Sequence, residues 1–323
     1  MYTIIKYDST YYNQWNDFVA QSKNGTFLFH REFMEYHSDR FKDFSLLIFD
    51  ENKLVAILPA NKKDDEVYSH QGLTYGGLVY SEKAKLSSII IAFGSVLKYL
   101  DQNGIEKLHV KLIPSIYHKY PSDEFSYALF LANAKLVRRD SLAVYDQTNK
   151  LPFSKDRKKC IKRTKRNDLK IVEETEFELF WNEILIPNMQ KKHGVKPIHT
   201  SQEIKTLQQK FPKNIRHFNV YLEGKIVAGT TIFITDTVIH PQHISGNENK
   251  NKLGSLDFLY NYLITDVFKD GKYFDFGISN EEQGRKLNEG LIFWKESFGA
   301  RTIVQDFYLI ETKNNMLLEG VFI

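Results

Sequence analysis

Within the stretch VIHPQHISGNENKNKLGSLDFL (238–259), His240 and His243 stand three residues apart beside a proline. Two histidines at close spacing can ligate a metal, or one can act as a general base near neutral pH, since a free imidazole titrates at about 6.5. The surrounding apolar residues mark a strand, along which side chains alternate faces. Strict alternation gives His240 and Gln242 one face and His243 the other, and no Asp/Glu/His cluster completes a ligand set, so no metal is expected. His240 and Gln242 are expected to face a cleft or, as the alternative, to form a satisfied core pair. His240, with His199 of the loop KKHGVKPIHT (191–200), is a candidate base for taking a proton from an amine.

The strand runs into a polar loop containing Ser245, Gly246, Asn247 and Lys252, after which Gly254 and Ser255 open an apolar helix. Free N–H groups at a helix start attract anions, and glycine lets a phosphate approach the backbone. With Lys250 and Lys252 nearby, the junction reads as a pyrophosphate seat or, equally, as a serine-capped helix with Asp257 in its first turn.

Other stretches carry candidate binding residues. His70, Tyr75, Gly76 and Gly77 form an aromatic-bearing turn able to approach a ligand closely. IPSIYHKYPSDEFSYALF (113–130) sets Tyr117, His118, Tyr120 and Tyr127 around prolines, a composition that can stack a base or sugar or simply pack. Lys192 and His193 lie in a segment between helices, a common place for binding residues. Asn288 and Lys295, seven apart, share one helix face, with Trp294 and Phe298 read as core. Glu282 and Glu289 read as surface charge.

The elements that must position these residues come in two similar series. LLIFDENKLVAILPA (46–60) and FNVYLEGKIVAGTTIF (218–233) are matching hairpins, with tight turns and the shared cores Lys53-Leu54-Val55-Ala56 and Lys225-Ile226-Val227-Ala228. A third polar-studded strand is expected after each, VYSHQG and VIHPQHISG, followed by helix, strand, helix and strand. Helical patterns also precede each hairpin, and Gly299 is placed to end the last helix. Two tandem α/β (α+β) domains are expected, 1–150 and 151–323, each a mixed, largely antiparallel sheet flanked by helices.

Composition places the chain among soluble globular proteins, with hydrophobic 42% and charged 26% over 323 residues. The first residues do not read as a signal peptide, no run is long enough to span a bilayer, and Cys160 is the only cysteine. A cytoplasmic protein is expected. Charge is uneven: KDRKKCIKRTKR (155–166) holds eight Lys/Arg and one Asp in a chain of net charge +4, so the rest is slightly acidic. The run reads as a solvated helix or as contact for an anionic partner.

The doubled order of elements resembles the GNAT acyltransferase fold duplicated as in the FemAB/FemX-like family. SHQGLTYGGLVY (69–80) looks like that family's first-domain segment, and FDFGISNEEQGRKLNEGLIFWKESFGA (274–300) is similar to its terminal Asp-Phe-Gly-x-Ser … Lys-x-x-Phe-Gly-Ala signature, which brings in Ser279. The resemblance implies acyl transfer to an amine, with acyl-coenzyme A as donor in the second domain near Ser245–Ser255 and Ser279. It also implies a nucleotide-linked (dTDP- or UDP-) amino sugar, for surface polysaccharide, as acceptor. Aminoacyl transfer from tRNA in the manner of FemX, and a non-catalytic binding protein of this fold, are the alternatives. The usual Gln/Arg-x-x-Gly-x-Gly/Ala phosphate loop is matched at NKNKLGSLDF only by Gly254 and Ser255.

Overall fold

Both hairpins read from the sequence form. In the computed structural model, which describes residues 2–164 and 166–323 without the side chains of Lys192 and His193, they sit in two separate units. One unit is Met1–Asp140 with Val304–Ile323, the other Ser141–Ile303. The division therefore falls ten residues before the expected boundary, and the final residues return to the first unit. The two binding residues expected at Lys192 and His193 lie outside the described side chains.

In the first unit β1 (Tyr2–Lys6), α1 (Tyr12–Gln21), β2 (Leu46–Asp50) and β3 (Lys53–Leu58) come first. β2 pairs antiparallel with both β1 and β3, and Glu51 adopts φ 52° in the hairpin turn. β4 (Glu66–Tyr68), β5 (Val79–Tyr80), α2 (Leu86–Gln102) and β6 (Lys107–Lys111) follow. Ile89, Ile90, Phe93, Val96, Leu97 and Leu100 recur at helical spacing along α2 and bury against Leu46, Ile48, Ala56 and Leu58 of the hairpin. The strand next to β3 is β5, not the expected VYSHQG: β4 instead pairs in parallel with β6, Val67 opposite Leu108. The two halves thus share the hairpin but not the strand order that follows it. α3 (Glu124–Leu131) leads into the long strand β7 (Lys135–Asp146), within which the division falls.

The second unit continues with α4 (Lys155–Thr164), β8 (Lys170–Glu174), α5 (Ile186–His193), α6 (Ser201–Lys210), β9 (Ile215–Leu222), β10 (Lys225–Ile234) and β11 (Val238–Gly246). β8 to β11 form an antiparallel run in chain order. α6 starts at a capping box in which Thr200 Oγ1 accepts the Glu203 N–H at 3.1 Å and Glu203 accepts the Thr200 N–H at 2.7 Å. α7 (Ser255–Tyr262), β12 (Tyr273–Ile278), α8 (Glu289–Glu296) and β13 (Arg301–Glu311) complete the chain's regular elements. Phe218, Ile232, Leu259, Tyr260, Phe274 and Phe298 anchor this unit's core. Gly299 has φ +86° and ends α8 as expected, its N–H bonding the Glu296 carbonyl at 2.8 Å. The fold is mixed α/β with largely antiparallel sheets flanked by helices, as the sequence implies.

Two glycines of the first unit separate packing from propensity. A Cβ at Gly76 would stand 2.1 Å from the Ser69 carbonyl oxygen, whereas one at Gly94, inside α2, would make ordinary contact with Leu318 at 3.5 Å. Gly76→Ala is expected to destabilise by roughly 1–3 kcal/mol and Gly94→Ala to stabilise by about 0.5–1 kcal/mol, read as melting-temperature shifts of opposite sign. Shifts of the same sign would contradict the packing described.

Candidate functional site

β11 and β12 run parallel for two residue pairs only, Val238 with Tyr273 and Ile239 with Phe274, and then part. Beyond Ile239 the β12-facing edge of β11 has no neighbouring strand among the described residues. β12 bends away at Gly277, which has φ +73°, and its register on β7 shifts between Asp275 and Ile278. A strand edge opened in this way offers ladder N–H and C=O groups to an extended ligand.

The fork is built around Asp275, a carboxylate 1% exposed. A buried charge needs partners, and three elements supply them. The Gly277 N–H donates to Asp275 Oδ1 at 2.8 Å. His240 Nδ1 lies 3.0 Å from the Asp275 carbonyl oxygen and 3.3 Å from its Oδ2. The carbonyl and an ionised carboxylate can only accept, so Nδ1 carries a proton and Nε2 is turned away from Asp275. Lys295 of α8, also buried, donates to the Gly277 and Ile278 carbonyls at 2.9 and 2.6 Å. Burial pulls the Lys295 ammonium down to about 8, with the Asp275 charge opposing that shift.

β11 does not alternate strictly. Its register on β10 shifts so that His240 pairs with Phe233 and His243 with Thr231. Phe233 and Thr231 are two apart, so the expectation that the histidines face opposite ways is corrected: the bulge at Pro241 and Gln242 returns them to one face. Each histidine has its own partner. His243 Nε2 lies 3.0 Å from His199 Nδ1, and burial holds the His243 ring well below the usual range, hence neutral. No cluster of metal-ligating side chains occurs among the described residues.

A cavity of about 670 Å³ opens beside the β11 edge. Gln242, His243 and Ser245 of β11, with Asn188 of α5, give it polar groups; Leu185, Met189, Leu256, Leu291 and Trp294 are among its apolar walls. Asn188 Nδ2 bonds Ser245 Oγ at 2.8 Å and the Gly246 carbonyl at 2.7 Å, while the buried Gln242 Oε1 has no partner. An apolar cleft with a few convergent polar groups is what an acyl chain with amide linkages would need. His240 stands at the base of the fork, and the lining begins two residues further on.

The other expected residues divide. His199 is buried, its carbonyl accepting from Trp181 Nε1 at 2.8 Å and its ring meeting the cavity-lining His243. Asn247 shapes the turn, accepting the Asn249 N–H at 3.0 Å, and Lys252 is exposed on the helical turn Lys250–Leu253. The start of α7 is closed. Ser255 is fully buried, and a Cβ at Gly254 would meet Thr164 Cγ2 at 2.5 Å, so these two residues present no open cradle to a pyrophosphate. Ser279 is buried behind Asn288, which caps α8 by accepting the Leu291 N–H at 3.0 Å.

In the first unit the aromatic residues expected to bind a ligand are mostly core. Tyr75 and Tyr117 pack ring to ring at 4.5 Å, both buried, with the Tyr75 hydroxyl 3.1 Å from Thr26 Oγ1. His70, at φ 60°, stacks on His37 at 5.0 Å, and burial takes its ring to about 3. Gly76 fits against the Ser69 carbonyl and is not part of an open turn. His118 is half-buried, with its ring pushed down by burial, and Tyr127 lies exposed on α3 against Phe130. Sequence reading missed Asp275 and Asn188. An aspartate inside the apolar strand KYFDFGI was a signal for the first; nothing local marked the second.

No family model and no curated protein matches this chain. Solved structures do. FemX superposes with a TM-score of 0.68 at 8% identity over 94% of this chain and 96% of that one. L-PGS from Bacillus licheniformis gives 0.56 at 16% identity over 86% of each chain, and a tandem GNAT protein from the clavulanic acid biosynthesis pathway gives 0.51 at 10% identity over 97% and 99%. The chain has the tandem GNAT fold. In that fold the second GNAT unit holds its fork open around a buried aspartate and a buried lysine.

The Lys295 environment has a pH signature. The unfolded lysine titrates near 10.5 and the folded one at about 8, so between these values the unfolded chain binds more protons. Lys295 therefore costs stability below about pH 8, a cost relieved as the pH rises to 10.5. The stability of the wild type relative to Lys295→Met is expected to improve by roughly 3 kcal/mol across that window in denaturant unfolding. A pH-independent difference would show a solvated ammonium.

Proposed function

We propose that this chain is an N-acyltransferase that takes an acyl group from acyl-coenzyme A and places it on the amine of a nucleotide-linked (dTDP- or UDP-) amino sugar. One observation carries the reading: the parted strands β11 and β12 expose a strand edge beside a mixed apolar and polar cavity, with a histidine fixed by a buried aspartate at the base of the fork. The donor's amide-bearing arm lies along the β11 edge and its acyl group in the cavity. The amine nitrogen attacks the thioester carbonyl carbon; the C–N bond forms and the C–S bond breaks. His240 Nε2 takes the amine proton, the Asp275 carboxylate stabilises the resulting imidazolium, and sulfur leaves with the bonding pair and is protonated to the free thiol. Lys295 acts as a positioning residue that holds the Gly277–Ile278 carbonyls and so the bend of β12.

The likeness in fold to FemX and to L-PGS supports a second reading, aminoacyl transfer from charged tRNA, since the same fork would serve an ester donor. Purified protein incubated with acetyl- or hydroxyacyl-coenzyme A and a panel of dTDP- and UDP-amino sugars is expected to release thiol. His240→Gln is expected to lower kcat by about 10²–10⁴ with little change in KM for the donor. Absence of acceptor-stimulated release, together with tRNA binding that weakens steeply with salt, would transfer support to the second reading. Absence of both, with no melting shift on adding coenzyme A, would point to a non-catalytic binding protein.

A further inference from the structure

The basic run forms α4, and its charges are distributed unequally between core and solvent. Arg157 turns inward, bonding Ser297 Oγ at 2.8 Å and pairing with Asp257. Ile161 and Thr164 bury on the same side, at the i+4 and i+7 positions. The remaining described cations of the helix, Lys155, Lys158, Lys159, Lys162 and Arg163, are exposed, and among the described residues none has an ion-pair partner. The face is a concentrated positive field that the protein itself leaves unneutralised.

A second cavity of about 670 Å³ lies against this face, separate in its lining from the one beside β11. Lys150, Lys158 and Lys162 stand around it, no carboxylate lines it, and Leu151, Phe153 and Ile161 supply apolar surface. Leu151 is 40% exposed, an apolar side chain left in solvent within a ring of lysines. Lysine rather than arginine at all three cationic positions provides point charges without a directional fork, which suits a mobile anionic headgroup. Apolar surface enclosed by cations matches an anionic amphiphile better than a nucleic-acid backbone, which would need the charges but not the greasy cavity.

We propose that this face docks on an anionic phospholipid bilayer, with lipid phosphates held by Lys150, Lys158 and Lys162 and Leu151 entering the acyl boundary. The docking is independent of the acyl-transfer reading, because no residue assigned to the fork takes part in it.

The test is flotation of the full chain with vesicles of phosphatidylcholine and phosphatidylglycerol in 3:1 ratio, against phosphatidylcholine alone. Binding is expected only to the anionic vesicles. Lys150→Gln/Lys158→Gln/Lys162→Gln should weaken it about 100-fold, at roughly fivefold for each lysine, and Leu151→Gln about 10-fold. All four positions are exposed, so unchanged melting temperatures will confirm folding. No binding to anionic vesicles, or variants that bind as the wild type does, would overturn the proposal. Loss of vesicle binding in the triple lysine variant with full retention in Leu151→Gln, together with wild-type RNA binding that the triple lysine variant also loses, would replace it with a purely electrostatic polyanion surface.

Discussion

The second unit is organised around the desolvation of one carboxylate. Asp275 lies on a strand between Phe274 and Phe276, both core side chains. An ionised group in that setting is stable only if hydrogen bonds and opposite charge return what hydration supplied. The Gly277 N–H, the His240 imidazole and, electrostatically, the Lys295 ammonium meet that need. Each partner then constrains its own element. Gly277 must take a left-handed φ, which turns β12 away from β11. His240 must turn its Nδ1 toward β12. Lys295 must reach from α8 to the carbonyls that the turn exposes. The fork and its histidine thus follow from one buried charge.

The first unit shows what the same hairpin does without that charge. Its parallel pairing is displaced onto β4 and β6, and a partly buried lysine, Lys111, donates to the Leu73 carbonyl at 2.6 Å. Burial draws the Lys111 ammonium down to about 8, as with Lys295. The aromatic turn at residues 69–77 is filled by its own side chains, Tyr75 against Phe29 and Tyr117. The first unit is therefore the well-packed half of the duplication, with most of its candidate residues committed to packing and Tyr127 left exposed.

Much of the fold was legible because hairpin turns and helical periodicity are local signals. The Glu-Asn and Glu-Gly turns, the α2 stripe and the Gly299 cap each arise from a few adjacent residues. Strand order was less legible: VYSHQG has the pattern of a strand but its neighbour is chosen by tertiary contacts. The bulge on β11 was invisible to a period-two argument, since one extra residue moves His243 to the other face. At the site, His240 could be found from its type. Its orienting group could not be weighed, because the value of Asp275 depends on burial that only the packed sheet creates. The Gly254–Ser255 junction had the composition of a phosphate seat, yet a neighbouring helix fills it with Thr164.

That filling bears on how a donor would be held under the proposed reaction. A helix start contributes to anion binding only if its N–H groups are reachable; here Gly254 packs on Thr164 of α4, Ser255 is buried and Arg157 is already spent on Asp257. Diphosphate recognition would then fall to the loop lysines Lys250 and Lys252, whose attraction is screened by salt. Affinity would come instead from the amide-bearing arm against the β11 edge and from apolar burial in the cavity. Those contacts lie next to the reacting carbon, so binding energy is available where the thioester must be oriented rather than at the far end of the donor. Under that reaction such a site would discriminate among acyl groups more than among donor nucleotides, through the apolar walls around Gln242 and His243.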